Sequence, residues 1–435
     1  MDPSSTLAPA ELYEQLRQEY GAVAPVLLPG DIPAWLVLSH REAQGVLNRS
    51  SVYTCDPTVW TPLRDGTLPA DSPLRPITQP QPLIAFTDGA EHARFRNAVT
   101  TSLASLHRHG IRRHVNRHAD RLIDRFISAG RADLVRDFAE QLPILVIAHQ
   151  FGIPPEQAPQ LGIALRDLVR GNEGALDANA FVASAMRDLV AQKKKTPGRD
   201  FASALLAHEA GLDDHEVEEH LRHALVAANE NTVNLLANAL LVVLTDQRFR
   251  GNLSGGQMTL PDALHLVMWD NPPLALVPNR FATGPTTLGG QQIQRGDMVM
   301  VSIAAGNRDP QVRPAGVSMA GNRAHLAFGN GPHECPGADI GLSIAETGID
   351  RLLTRLLEVQ LTKYKEELPV EVSLISSRLL SLPVTFTPGK PVTSPADPAP
   401  ATPPSARVEQ PSPESREAAA PAPRSWWPLF FRRRR

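Results

Sequence analysis

The chain has 435 residues, 42% of them hydrophobic, and a formal net charge of −3 at pH 7. This length suffices for a large buried core, and the absence of a basic excess argues against a nucleic-acid-binding protein. The two cysteines, Cys55 and Cys335, lie far apart and outside any Cys-x-x-Cys pair. Their spacing argues against a disulfide framework and against a cysteine-built zinc site. A reducing, cytoplasmic location is expected.

The N-terminal segment MDPSSTLAPAELYEQL has neither the basic nor the apolar region of a signal peptide. PAWLVLSHREAQGVLN predicts a strand followed by a helix, and a loop rich in Pro and Asp runs from Val59 to Gly89. Mostly helical patterns follow, including a long helix that begins near Asp213 and Asp214. Its apolar run from Leu235, LLANALLVVL, is too short to span a membrane and predicts a buried helix.

After the long helix, TTLGGQQIQRGDMVMVSIAAGNRDP predicts a β-hairpin that turns at Gly-Gly or at Arg-Gly-Asp. A last helix is expected from about Ala338, followed by short strands. Residues 1–387 therefore predict one globular domain, mainly α with small β-sheets. The composition then changes: residues 388–424 predict a disordered linker rich in Pro and Ala, and residues 425–435, SWWPLFFRRRR, form an aromatic and Arg-rich tail.

The most informative segment is HLAFGNGPHECPGADIGLSIAE, in which Phe328, two glycines, His333, Cys335 and Gly337 precede a helix. A glycine turn whose N–H groups face the sulfur, followed by a helix N-terminus, suits a thiolate ligand of haem iron. Gly337 would let the helix backbone approach a flat macrocycle, and Phe328 would shield the sulfur from water. The alternatives are an inert buried cysteine and a metal site shared by His333 and Cys335. The whole pattern favours haem.

This segment resembles the haem-binding loop of the cytochrome P-450 superfamily, in its soluble bacterial form. The resemblance extends from about residue 10 to about residue 387. It implies the helix-rich triangular prism of that family, with haem b between a central distal helix and a proximal cysteine loop. Cys335 would be the axial ligand.

The resemblance also assigns contacts to the haem propionates. His92 and Arg96, in DGAEHARFR, match the family's His-x-x-x-Arg and lie on one face of a helix. Arg280, which follows the Pro-Pro pair in NPPLALVPNRFA, and His333 would complete the set. Taken alone, the basic helix face could equally be a solvated one. Leu274 to Val277 would run beside the haem, and Cys55 is expected to be an ordinary core or loop residue.

Two motifs depart from the family's pattern, and in the first of them Ala228 also replaces the glycine. On the distal helix, Ala-Gly-x-Asp/Glu-Thr is represented by Ala227 to Asn231, so Glu230 keeps the acid while Asn231 replaces the threonine that helps to deliver protons. Thr232 follows and could substitute. The Glu-x-x-Arg ion pair is absent, because Leu266 and Trp269 occupy its positions. The chain is similar in this respect to a small actinobacterial group of the family, and packing of Trp269 is expected to replace the pair.

The resemblance implies a monooxygenase that hydroxylates an unidentified small apolar organic molecule of secondary metabolism, with electrons from a ferredoxin-type donor and its reductase. No Gly-x-Gly-x-x-Gly fingerprint follows a predicted strand. The alternative is a haem-binding sensor or interaction protein with little turnover, consistent with Asn231 and the missing ion pair. The composition of the tail leaves two alternatives. It has no role, or it makes a weak contact with an anionic membrane surface or a protein partner.

Overall fold

The computed structural model describes residues 9–70, 72–106, 108–170, 174–245, 259–319, 321–373 and 375–392, together with the backbone of residues 432–433. The predicted linker therefore lies almost wholly outside the described residues, as does most of the tail. Among the described residues, no helix is both long enough and apolar enough to cross a bilayer.

Helices make up most of the described chain. Those of eight or more residues are α1 (Pro9–Tyr20), α2 (His40–Asn48), α3 (Gly89–Ala104), α4 (Arg108–Asp124), α5 (Leu142–Phe151), α6 (Ala158–Arg170), α7 (Ala175–Lys195), α8 (Asp214–Thr245), α9 (Leu260–Asp270) and α10 (Ala338–Arg355). Shorter helical turns occupy Thr61–Arg64, Arg75–Thr78, Phe201–Leu206 and Ile303–Gly306. The expected start of the last helix at Ala338 is confirmed.

The long helix α8 passes through the middle of the largest apolar core. It begins at a capping box, in which Asp213 accepts the N–H of Glu216 at 2.8 Å and Glu216 accepts the N–H of Asp213 at 2.9 Å. Its C-terminal half is buried among α5, α7, α9 and α10. Leu236 and Leu240, both fully buried, belong to this core. The prediction of a buried helix from Leu235 is confirmed.

The strands form small sheets. They are β1 (Val23–Leu28), β2 (Ile32–Val37), β3 (Tyr53–Thr54), β4 (Arg131–Asp133), β5 (Leu276–Val277), β6 (Phe281–Ala282), β7 (Thr286–Leu288), β8 (Gln291–Ile293), β9 (Val299–Ser302), β10 (Leu357–Leu361), β11 (Val370–Val372), β12 (Ser377–Leu379), β13 (Pro383–Thr387) and β14 (Arg432–Arg433). The hairpin of β7 and β8 turns at Gly289 and Gly290, which confirms the first of the two predicted turns.

The largest sheet has the order β14-β1-β2-β9-β5. Within it β1 and β2 are antiparallel, β2 and β9 are parallel, and β5 returns antiparallel to β9. Strand β14 pairs with the outer edge of β1, where Arg432 lies opposite Leu27 and Arg433 opposite Val26. The chain's C-terminal end is thereby placed beside its N-terminal sheet. The predicted fold class, mainly α with small sheets, is confirmed.

Candidate functional site

The cysteine loop lies between the segment that ends at Leu326 and the start of α10. Phe328 accepts the N–H of Cys335 at 2.8 Å, so the loop closes on itself. Gly329 and Gly331 have φ values of 74° and 73°, which side chains other than glycine adopt only with strain. A Cβ on Gly331 would also lie 2.6 Å from the Asn48 side chain. The glycines are therefore needed both for the turn and for its contact with α2.

The two cysteines occupy opposite environments. Cys335 is exposed, whereas Cys55 is fully buried. Desolvation by the surrounding protein raises the pKa of the Cys335 thiol, while a hydrogen bond from the backbone of Gly337 and the nearby charge of Arg96 act in the opposite direction. Burial raises the pKa of Cys55 to about 12. Cys335 is therefore the more accessible of the two cysteines, and coordination to a metal deprotonates such a thiol outright.

Four basic side chains from three separate parts of the chain converge near this loop. His92 and Arg96 come from α3, Arg280 immediately precedes β6, and His333 lies in the loop itself. The rings of His92 and His333 lie 4.1 Å apart between centroids, and Arg96 donates to the carbonyl of Glu334. The structure thus brings together all the residues that the sequence suggested for propionate contacts.

Polar atoms in this cluster are available to an acidic ligand. The Nε2 atom of His92 and the Nε atom of Arg280 are buried and find no hydrogen-bond partner among the described residues. Burial, together with the charges of His333, Arg96 and Arg280, lowers the pKa of His92 to about 4, against an opposing effect of Asp88. Buried unpaired donors of this kind are costly, and two carboxylates of a cofactor would satisfy them. The residues therefore fit a haem with its propionates.

The sequence reasoning did not identify two further members of this cluster. Asp88 accepts hydrogen bonds from the Thr54 hydroxyl and the Cys55 N–H, both at 2.6 Å, and lies 2.9 Å from Nε2 of His333. Arg280 donates to the sulfur of Cys55, which lies 3.4 Å from Nε2 of His333. Cys55 is thus a core residue, as expected, but one that contacts the site. Asp88 directly precedes α3, and its place in DGAEHARFR was the available signal.

Glu230 of the distal helix is held in a network of charges. Arg378 of β12 lies 3.1 Å from Glu230 and 2.6 Å from Glu140, and all three side chains are largely buried. Asn234, one turn further along α8, donates to Glu230 at 3.3 Å. Arg166 of α6 extends the network to Glu140 at 3.4 Å. The acid that the sequence placed in a proton relay is therefore already an ion-pair partner.

The other two distal residues, Asn231 and Thr232, lie in different surroundings. Asn231 is half-buried, like Ala227 and Ala228 one turn before it. Thr232 is buried, and its hydroxyl would lie 3.6 Å from a Cβ on Gly341 of α10. Thr232 therefore packs against the helix that follows the cysteine, whereas Asn231 remains accessible.

Trp269 occupies the position of the arginine in the absent ion pair. It is fully buried in α9, and its indole N–H donates to the carbonyl of Asn322 at 2.9 Å. Leu266 is partly buried against the apolar core. Trp269 thus contacts the segment that leads into the cysteine loop, although no charge is involved.

The chain is similar to bacterial haem enzymes over most of its length. Cytochrome P450 107B1 from Saccharopolyspora erythraea is 30% identical over 325 residues, which are 72% of this chain and 80% of the relative. The chain belongs to the cytochrome P450 family. The 2-hydroxy-5-methyl-1-naphthoate 7-hydroxylase of Streptomyces carzinostaticus is 28% identical, over 84% of this chain and 92% of the relative. No protein-family model matches the chain.

Solved structures of cytochrome P450s share the fold. CYP154A1 from Streptomyces coelicolor has a TM-score of 0.78 at 26% identity, over 88% of this chain and 98% of that structure. CYP154C4 from a Streptomyces species has a TM-score of 0.82, also at 26% identity, over 90% and 98%. As a member of the family, this cytochrome P450 is an oxidoreductase of the monooxygenase type, and its cofactor is haem b with an axial cysteine thiolate.

Proposed function

We propose that this P450 hydroxylates a small apolar organic molecule and that Cys335 is the axial ligand of its haem. The observation that carries the assignment is the position of Cys335, an exposed residue whose thiol is hydrogen-bonded by the Gly337 backbone at the N-terminus of α10. No neighbour lies within 4 Å of where a Cβ on Gly337 would project, which leaves room for a flat ring system. When bound, a haem thiolate supplies the activation of dioxygen.

We assign the propionate contacts to His92, Arg96, Arg280 and His333. The cluster around His92 holds two guanidinium groups, those of Arg96 and Arg280, and one carboxylate, that of Asp88, so it retains positive charge for an acidic group. Arg280 can donate through Nε as well as through the nitrogen that contacts Cys55. These residues would fix the orientation of the macrocycle, and Phe328, partly buried beside the loop, would exclude water from the sulfur.

On the distal side, we propose that three residues take part in proton delivery to different extents: Asn231, Glu230 and Thr232. Asn231 is the accessible group, and its amide can donate and accept a hydrogen bond but cannot exchange a proton as a hydroxyl does. Glu230 would take part only when Arg378 releases it. Thr232 is buried against α10 and would contribute through water.

We infer the substrate class and the redox partner from the family and the sequence. Relatives are named for hydroxylation of 2-hydroxy-5-methyl-1-naphthoate and of vitamin D(3), each of which contains a hydrocarbon ring system. We therefore propose a similar apolar substrate, of the kind made in secondary metabolism. A ferredoxin-type donor with its reductase would supply electrons, because the sequence contains no recognisable dinucleotide-binding fingerprint.

We propose a haem domain of residues 1–387, a linker of residues 388–424 and a tail of residues 425–435 in a cytoplasmic protein. The tail's aromatic and arginine residues suit a weak contact with an anionic membrane or an acidic protein surface. Deletion of residues 388–435 should leave haem binding intact. Loss of the haem absorbance in that truncation would contradict the division.

The assignment of Cys335 is tested by the absorbance of the reduced protein with carbon monoxide. The wild type should show the long-wavelength Soret band of thiolate ligation, and Cys335→Ala should lose it. Cys55→Ala is the matched control, since it removes the only other thiol, and it should keep the band. A band that persists in Cys335→Ala would refute the proposal.

A second candidate is a haem protein of the same fold with little turnover, acting as a sensor or interaction component. The pairing of Glu230 with Arg378 and the amide at Asn231 favour it, because both weaken a proton relay. A ferredoxin system with a panel of apolar ring compounds would distinguish the two. Product formation coupled to oxygen consumption supports the enzyme, and peroxide as the sole product with every compound supports the second candidate.

A further inference from the structure

The segment that leads into the cysteine loop, residues 322–326, is held by side chains from two helices. Trp269 of α9 donates to the carbonyl of Asn322 at 2.9 Å, and His40 of α2 bonds the carbonyl of Ala324 at 3.0 Å. The rings of His40 and Trp269 stack at 6.1 Å, with 17° between their planes. The segment is thus held from both sides by an indole and an imidazole side chain.

The centre of this arrangement is a pair of histidines. Nδ1 of His265 lies 2.8 Å from Nε2 of His325, and both residues are about nine-tenths buried. The ring of His325 also meets the edge of Trp269 at 6.1 Å and lies 5.9 Å from Phe328. His265 and Trp269 are one turn apart on α9, so they reach the same part of the segment. His325 therefore links α9 directly to the first residue of the cysteine loop motif.

The hydrogen bond between two imidazoles depends on their protons. It needs one N–H and one bare nitrogen, so two protonated rings would bring two donors together at 2.8 Å. Burial lowers the pKa of His265, and burial together with His265 lowers that of His325 to about 4. Among the charged groups facing the pair, Arg323 in the same segment acts on His265 in the same direction, while Asp262 of α9 opposes it. The pair is therefore neutral at about pH 7.

We propose that His265 and His325 are positioning residues that fix the cysteine loop where the family's Glu-x-x-Arg ion pair is missing, and that protonation of both rings releases the loop. The inference rests on the proposed ligation of haem by Cys335. An ion pair would keep its hold over a wide pH range, whereas an imidazole pair holds only while one nitrogen is bare. Trp269 by itself contributes packing and one hydrogen bond, to the carbonyl of Asn322 at the start of the segment. The histidine pair supplies the link nearest to Phe328.

The test uses the full-length haem-loaded protein and measures how fast the thiolate-type Soret band of the reduced carbon monoxide complex is lost. His265→Phe and His325→Phe keep a ring but remove the bond. We expect each to lose the band about five- to tenfold faster than the wild type at about pH 7, the effect of about 1 kcal/mol. His149→Phe is the matched control, because His149 of α5 contacts only His114 among the ring pairs of the described residues. It should behave like the wild type.

The pH profile separates this role from simple packing. Loss of the band in the wild type should accelerate as the pH falls to about 4 and below, where both rings become protonated, and this dependence should be reduced in His265→Phe. His265→Asn places an amide where Nδ1 lies and should restore the slow rate at about pH 7, again with a weaker pH dependence. Rates and profiles in both phenylalanine variants equal to those of the wild type would overturn the proposal.

A second measurement does not depend on the haem. Amide hydrogen exchange reports the backbone bonds that close the loop, in which Gly329 donates to Leu326 and Cys335 donates to Phe328. Exchange at both amides should rise about five- to tenfold in His265→Phe but not in His149→Phe. If Cys335 does not ligate haem, the spectra fail while this exchange difference remains. If the pair does not hold the loop, the exchange of the two variants is the same.

Discussion

Arg378 lies 3.1 Å from the carboxylate of Glu230, so the acid of the distal helix is paired across the core with a strand from the C-terminal part of the domain. The same guanidinium reaches Glu140 at 2.6 Å. One cation thus stabilises two buried carboxylates. In water such pairs contribute little, but a buried charge that loses its partner is expensive. Arg378 is therefore central to both the stability of the domain and the state of Glu230.

Replacement of Arg378 by leucine should destabilise the protein by about 3–5 kcal/mol, because Glu230 and Glu140 would remain buried without their shared partner. Urea unfolding at about pH 7 measures the loss. Arg166→Leu is the control: this arginine lies at the more accessible end of the same network, 3.4 Å from Glu140, and its loss should cost less than about 1 kcal/mol. The combination of Arg378→Leu with Glu230→Gln and Glu140→Gln should recover much of the stability. Equal effects of the two single arginine variants would contradict this reading.

Gly331 and Gly337 differ in what an added side chain would meet. Gly331 has positive φ, and a Cβ there would clash with α2, so Gly331→Ala should destabilise the folded chain by about 1–3 kcal/mol. Gly337 has φ −100° and open space, so Gly337→Ala should change the stability of the haem-free chain by less than about 0.5 kcal/mol. Its added methyl would instead weaken haem retention.

Thermal unfolding of the haem-free chain and the rate of haem transfer to an acceptor protein, measured on both glycine variants, check this contrast. A Gly337→Ala variant that retains haem as tightly as the wild type would show that the space beside Gly337 is not filled by the macrocycle.

The parts of the site that the sequence predicted are those encoded by local spacing. The turn around Gly329 and Gly331, the helix that carries His92 and Arg96, and the turn at Gly289 each depend on neighbouring residues. Such patterns follow from backbone sterics and helix periodicity, so they can be read without a partner.

The parts that were missed depend on contacts between distant segments. The pair of His265 and His325 spans 60 positions, and that of Glu230 and Arg378 spans 148. A lone histidine or arginine in a sequence carries no sign of its partner. Arg378 lies within the short strand β12 and His265 within α9, and neither local pattern indicates a distant partner.

Asp88 links β3 to the cysteine loop, so its replacement should weaken the contacts of both segments. Burial would raise the pKa of Asp88, but hydrogen bonds from His333, Thr54 and the Cys55 N–H outweigh it and lower the pKa to about 2. The carboxylate therefore contributes stability that is present above its ordinary value of 3.8 and is lost as the pH falls through about 2.

Asp88→Asn should lower the free energy of unfolding by about 1–3 kcal/mol at about pH 7, because the amide cannot accept all of these bonds. Denaturant unfolding measures the difference in the free energy of unfolding between Asp88→Asn and the wild type. This difference should become smaller as the pH is lowered. Asp65→Asn is the control, since Asp65 is exposed and, among the described residues, forms an ion pair only with its neighbour Arg64. A difference that stays constant down to about pH 2 would argue against ionised Asp88 as the cause.

The pKa values of buried histidines indicate how the stability of the fold changes in mild acid. Burial lowers the pKa of His118 and of His325 to about 4, whereas an unfolded chain keeps values near 6.5. Between these values the unfolded chain binds more protons, so the free energy of unfolding should fall as the pH falls from about 6.5 to about 4. Each such proton contributes a slope of up to about 1.4 kcal/mol per pH unit.

Urea titrations at several pH values check the slope. His118→Leu should make the slope shallower by up to one proton's contribution without loss of stability at about pH 7, because Nδ1 of His118 is buried and has no hydrogen-bond partner within the described part of the chain. An unchanged slope in this variant would show that His118 is not one of the groups responsible.

Asn231 is a half-buried polar residue of the distal helix, and its amide replaces the hydroxyl of the family's usual proton relay. Asn231→Thr restores a hydroxyl that can pass on a proton, so uncoupled peroxide formation should fall about tenfold, the effect of about 1.4 kcal/mol on the competing steps. The measurement is the ratio of product to oxygen consumed with a ferredoxin system. Asn238→Thr is the control, because Asn238 lies further along α8 and donates to the carbonyl of Asn271. If Asn231→Thr leaves the ratio unchanged, the limit on coupling lies instead in the pairing of Glu230 with Arg378, and the Arg378 variants should then be the ones that alter it.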